Sequence, residues 1–163
     1  MIVLMMGVCG SGKTTTGKAL AESLGWPFFD GDDFHPEANV ATMAAGQPLT
    51  DADRWPWIER IAEAMRDVVD RGGSAVFACS ALKSAYRRRM QRAGDVRVVF
   101  LNGNAETIGP RLAARTQHFM PASLLPSQFA ALEVPDDALV VDIRDAVPTQ
   151  VTRICDGLSI TSF

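Results

Sequence analysis

Eight residues near the N-terminus, Gly7-Val8-Cys9-Gly10-Ser11-Gly12-Lys13-Thr14, fit G-x-x-x-x-G-K-[ST], a spacing whose chemistry is the holding of phosphate. Gly7, Gly10 and Gly12 allow the tight turns that aim successive N–H groups into one anion-sized hollow. The positive end of a following helix favours negative charge in the same hollow. Lys13 is placed to reach outer phosphates and the Thr14 hydroxyl to ligate Mg²⁺. With Ser11 and Thr15 these residues form the candidate nucleotide-binding set. A glycine-rich turn that binds nothing would not require four fixed residues between an apolar run and a helical stretch.

Two further stretches carry side chains that could use a bound triphosphate. Asp30-Gly31-Asp32-Asp33-Phe34-His35-Pro36 supplies carboxylates, and a kinase acting on an alcohol needs one to orient the hydroxyl and accept its proton, and one to help hold Mg²⁺. Asp30 and Asp32 project to one side if the chain stays extended; the competing reading is a solvated acidic turn, or Asp32 or Asp33 capping a helix. No Asp ends the run Ala75–Cys79, so Asp30 substitutes for the carboxylate usually found there. That run leads into Ser80-Ala81-Leu82-Lys83, where Ser80 and Lys83 could meet an anionic substrate or serve only as a helix cap and a solvated lysine. Arg111 and Arg115 lie four apart, on one helical face, ahead of a polar, proline-punctuated stretch at about 116–128. Such a segment suits a lid that excludes water and neutralises transferring charge, and equally an ordinary surface loop.

The elements that must position these groups are legible as alternation. Five apolar runs, Ile2–Met6, Trp26–Phe29, Ala75–Cys79, Val96–Leu101 and Ala138–Ile143, are separated by helical stretches. Continuous apolar runs suit parallel strands buried on both faces, and crossovers place helices on both sides. A three-layer α/β domain over residues 1–163 is expected, with the carboxyl ends of its strands facing the ligand. The clearest helix runs from about Asp51 to Arg71, with a Thr50–Asp53 capping box, a start nearer Asp53 if Pro56 interferes, a core stripe Ile58, Ile61, Ala62, Met65, Val68 and Val69, and a stop at Gly72-Gly73. A helix over about Ala105–Thr116 either kinks at Gly109-Pro110 or restarts with Pro110 as its first residue.

Composition narrows the class. Of 163 residues, 47% are hydrophobic and 21% charged, which is globular. A net charge of −3 offers no electrostatic case for nucleic acid or an anionic membrane. No apolar run approaches the ~18 residues of a bilayer span. The first strand runs straight into the phosphate loop with no basic stretch ahead of it, and the three scattered cysteines, Cys9, Cys79 and Cys155, suit a reducing cytosol. A cytoplasmic protein is expected. A GTPase switch is disfavoured because no N/T-K-x-D element occurs and Asp70-Arg71-Gly72-Gly73 precedes a strand instead of following one.

Taken in order, Gly7–Thr14, Asp30-Gly31-Asp32, His35-Pro36, Pro48-Leu49 with Asp51, Asp53-Arg54, Pro56-Trp57, Cys79-Ser80-Ala81-Leu82-Lys83 with Tyr86-Arg87, His118-Phe119, Ser127-Gln128-Phe129 with Leu132-Glu133, and Val140-Val141-Asp142 resemble bacterial gluconate kinase over nearly the whole chain. The resemblance implies a P-loop kinase fold related to shikimate and nucleoside monophosphate kinases, with a five-stranded parallel sheet, a lid and commonly a homodimer. It implies ATP and Mg²⁺ as cofactors and gluconate, phosphorylated at its 6-hydroxyl, as substrate; a shikimate-kinase-like or other small-molecule kinase on this scaffold is the alternative. By resemblance Lys13 and Asp32 are catalytic, Asp32 as the base, and Asp30 with Thr14 supports the metal. His35, Arg54, Lys83 and Arg87 join Asp32 in binding the sugar acid, while Arg111 and Arg115 contact ATP near its base and its phosphates respectively. Cys9 stands where a small hydroxyl residue is expected, which suggests sensitivity to alkylation.

Overall fold

In a computed structural model of the chain, residues 1–115 and 120–161 are described. Five parallel strands, β1 (Ile2–Met6), β2 (Phe28–Asp30), β3 (Ala75–Ala78), β4 (Val96–Asn102) and β5 (Leu139–Asp142), form one sheet in the order β2-β3-β1-β4-β5. Seven helices are present among the described residues: α1 (Lys13–Leu24), α2 (Glu37–Ala44), α3 (Asp51–Asp70), α4 (Ser84–Gln91), α5 (Ala105–Ala113), α6 (Leu125–Ala131) and α7 (Val147–Leu158).

The central strand explains the three layers. Val3 and Met5 face a core built with Leu20 and Leu24 of α1, Ile108 and Leu112 of α5 and Ile154 of α7. Ile2, Leu4 and Met6 face the opposite core, with Ile58, Ile61 and Met65 of α3 and Tyr86 and Met90 of α4. Because both faces of β1 are covered, its run is uninterrupted, as parallel sheets require. None of the described helices is long and apolar enough to cross a membrane.

Of three boundaries, those of β2 and α5 differ from the sequence reading and that of α3 agrees with it, each for a local reason. The second strand begins at Phe28, not Trp26: the Trp26 N–H is spent closing α1 on the Ala21 carbonyl, and Pro27 has none to donate. Helix α3 starts at Asp51 and passes through Pro56, with the Thr50–Asp53 capping box formed in both directions. Proline leaves the Ala52 carbonyl without its helical partner, and Ala52 is exposed, so water can satisfy it. Helix α5 does not restart at Pro110, which lies inside it; the helix begins at an Asn104 cap and ends at Ala113, short of Thr116. Of the expected lid, residues 116–119, including His118 and Phe119, lie outside the described residues; its later part forms a short 3₁₀ turn, Ala122–Leu124, and the start of α6.

Candidate active site

The loop between β1 and α1 folds around its glycines. Gly10 and Gly12 take φ of 77° and 94°, the left-handed region that a side chain resists, and Gly12 is the residue from which α1 departs. The Lys13 ammonium folds back to donate to the Val8 carbonyl at 2.9 Å, and burial holds its pKa below the ordinary lysine value, with Asp32 opposing that shift. Ser11 is buried, its N–H donates to the Val8 carbonyl at 3.2 Å, and its hydroxyl lies 2.7 Å from where a Cβ on Gly7 would sit.

The edge strand β2 delivers the carboxylates. Asp30 ends β2, and its Oδ2 accepts the Thr14 hydroxyl at 2.8 Å while its Oδ1 accepts the Asp32 N–H at 3.0 Å. The chain therefore does not stay extended; Asp30 caps a 3₁₀ turn over Gly31–Phe34 that brings Asp32 into the cleft beside it. A residue without Cβ is needed at Gly31, where a Cβ would lie 2.5 Å from the Ala78 carbonyl oxygen. Trp57 of α3 locks the turn from behind by donating from Nε1 to the Gly31 carbonyl at 2.7 Å.

His35, the next residue after the turn, stacks on Trp57 with ring centroids 4.0 Å apart. Asn39 donates its Nδ2 to the Asp53 carbonyl at 2.9 Å and meets His35 Nδ1 at 3.3 Å, which leaves the imidazole proton on Nε2. Burial pushes the His35 pKa down to about 4, against the pull of the Asp32 charge, so the ring is neutral at pH 7. The ring therefore presents the cleft with a neutral hydrogen-bonding group, not a cation.

These groups line one cleft of about 290 Å³, near the lower end of small-molecule sites, shared by Lys13, Thr14, Asp30, Asp32, His35 and Arg54. A second hollow of about 220 Å³ lies across the phosphate loop, lined by Ser11, Thr16, Arg111 and Gln150. Gly10, Gly12, Thr15 and Arg115 border both, so a chain of phosphates can run from one to the other. Arg111 donates to the Ile143 carbonyl at 2.8 Å, on the side away from the carboxylates.

Two of the sugar-acid candidates do not line the cleft. Lys83 donates to both Asp51 oxygens at 2.8 and 2.9 Å, joined there by the Tyr86 hydroxyl. Arg87 is buried and donates to the carbonyls of Ala81 and Leu82 at 2.9 and 3.0 Å. Ala81 holds a left-handed φ of 43°, which turns the chain after β3 and leaves these carbonyls needing donors. In this structure the pair braces the segment that presents Ser80 and Leu82 to the cleft. Conversely, Trp57, Asn39 and Gln128 hold site groups in place without having been assigned a role from sequence. Their only sequence signals were Pro56-Trp57 and Ser127-Gln128-Phe129, and nothing pointed to Asn39.

The chain is similar to known proteins. A family model described as shikimate kinase matches residues 9–131, the loop through α6. A gluconokinase of Gluconobacter oxydans (strain 621H) is 50% identical over 137 residues, covering 83% of this chain and 76% of that protein. The chain belongs to the gluconokinase family. A family member from Sinorhizobium meliloti 1021, a gluconokinase of known structure, superimposes with a TM-score of 0.86 at 39% identity, covering 96% of this chain and 90% of that one. An unliganded sugar kinase from Janibacter sp. HTCC2649 gives 0.92 at 44% identity, covering 98% and 95%. The gluconokinase fold, a five-stranded parallel P-loop sheet between helical layers, is therefore the fold found here.

Proposed function

We propose that this kinase transfers the γ-phosphoryl group of ATP to the 6-hydroxyl of D-gluconate, giving 6-phospho-D-gluconate and ADP. The observation that carries the reading is the meeting in one cleft of a phosphate loop, a carboxylate and a cation: Lys13, Asp32 and Arg54. Asp32 orients the hydroxyl and takes its proton as the O–P bond forms; Arg54 suits the carboxylate of the sugar acid; neutral His35 and Ser80 suit its hydroxyls. Lys13 and Arg115 neutralise charge on the phosphoryl group in transit. Arg111 borders the hollow for the nucleoside end.

The Thr14 hydroxyl and Asp30 carboxylate, 2.8 Å apart, are hard oxygen donors beside the phosphate loop and fit Mg²⁺. Mg²⁺ takes few protein ligands and completes its shell with phosphates and water. The ion would supply charge neutralisation at the phosphate oxygens. A single kinase domain over residues 1–163 and a cytoplasmic location, carried by length and by the scattered cysteines, with a lid near 116–128 and a homodimer, carried by family resemblance, complete the proposal.

Shikimate is the competing acceptor, since the matching family model bears that name. Gluconokinase relatives across most of the chain favour gluconate. Purified protein supplied with Mg-ATP and either acid decides it: 6-phosphogluconate should form, and phosphorylation of shikimate with none of gluconate would overturn the reading.

A further inference from the structure

One peptide unit of the phosphate loop is gripped at both ends. The Val8 carbonyl accepts Lys13 Nζ at 2.9 Å, and the N–H of the same peptide, that of Cys9, donates to Gln128 Oε1 at 2.7 Å across 119 residues of sequence. A backbone N–H can only donate, so the carboxamide oxygen must face Cys9 and the NH₂ must point elsewhere. Gln128 is 9% exposed and lines the cleft. Among the described residues its Nε2 has the Met120 thioether as acceptor, at 3.3 Å. Sulfur in a thioether is a weak acceptor, and a buried amide donor left on one is poorly satisfied.

We propose that Gln128 is a further catalytic residue: its oxygen fixes the Val8–Cys9 peptide while its NH₂ leaves the thioether and donates to the phosphoryl group passing from ATP to the Asp32-oriented hydroxyl. The proposal rests on the assignment of phosphoryl transfer to this cleft. Lys13 and Gln128 then stand at opposite ends of one peptide, one charged and one neutral, each donating toward charge that develops on the equatorial oxygens. The carboxamide is already held beside the loop by packing and by the Cys9 N–H, so only the weak thioether contact is given up when its NH₂ meets the developing charge. The bond broken is that between the γ-phosphorus and the bridging oxygen of ADP; the bond formed is to the acceptor oxygen, whose proton goes to Asp32.

The test compares wild type, Q128L and Q128E with Mg-ATP and gluconate. Loss of a donor of this type lowers kcat about 10²-fold, with KM for both substrates within about 3-fold. Q128E still accepts from the Cys9 N–H but cannot donate, so its kcat falls as far as that of Q128L. A Q128E that retains kcat within about 3-fold of wild type while Q128L loses it would reduce Gln128 to an anchor and overturn the proposal. So would a Q128L with wild-type kcat. Product formation by wild type in the same assay reports separately on the phosphotransfer reading. Should either variant fail to fold, the side-chain amide NMR signal of Gln128 in the wild type serves instead. It should shift on adding a non-hydrolysable ATP analogue with gluconate, and an unchanged signal would overturn the proposal.

Discussion

Thr14, the second residue of α1, donates its hydroxyl to the Asp30 carboxylate at the end of β2, 2.8 Å away. This bond crosses from the central phosphate loop to the sheet edge and fixes the spacing of the proposed metal oxygens. The other Asp30 carboxylate oxygen holds the Asp32 N–H, so metal support and base are set by a single side chain.

Asp30→Asn should therefore impair two things at once. The Mg²⁺ concentration for half-maximal turnover should rise, and kcat should fall about 10²-fold, since an amide is a poorer ligand and the turn at Asp32 loosens. A magnesium titration of initial rates reads both. Thr14→Val should raise the magnesium requirement while leaving the Asp32 turn in place.

His35 makes stability depend on pH. Its pKa is about 4 in the folded chain against 6.5 for the free side chain, with burial as the cause. The unfolded chain thus binds more protons between those values, and this contribution, fully present above pH 6.5, is lost as pH falls toward 4. Thermal melts of wild type and His35→Gln should converge as pH drops through that window. The substitution costs stability at pH 7, where the neutral ring packs on Trp57.

The parallel strands, the two-sided core and the phosphate loop were legible because each rests on local rules: continuous apolar runs, helical spacing and glycines at turns. Asp30 and Asp32 were legible as a pair, although the turn that aims them was not. That turn depends on Trp57 Nε1 reaching the Gly31 carbonyl, a contact between residues 26 apart. Lys83 and Arg87 were assigned to the sugar acid through the family resemblance, and the residues alone left Lys83 open between a substrate contact and a solvated lysine. Only the folded chain shows Asp51 taking one and the carbonyls of Ala81 and Leu82 the other. Neutral His35 was equally out of reach, since its burial comes from α3.

Gly31→Ala tests the close approach of β2 to β3. Its Cβ would lie 2.5 Å from a backbone oxygen that cannot swing aside, so denaturant midpoints should report a loss of about 1–3 kcal/mol. The same displacement should reduce kcat, because it moves Asp32.

Cys9 is 5% exposed, and burial raises its thiol pKa despite the neighbouring Lys13 and Arg115. Little thiolate is available, so the alkylation suggested by its position should proceed more slowly than for an exposed cysteine. Iodoacetamide inactivation should slow further with ATP bound, and Cys9→Ser should remove the ATP-protected component.

The central claim is that Asp32 acts on the acceptor hydroxyl and not on the nucleotide. Single-turnover conversion of gluconate to 6-phosphogluconate by Asp32→Asn, measured beside its affinity for ATP, tests this most directly. Transfer should fall by about 10²–10⁴-fold while ATP binds within about 2-fold of wild type. Undiminished transfer would contradict the account.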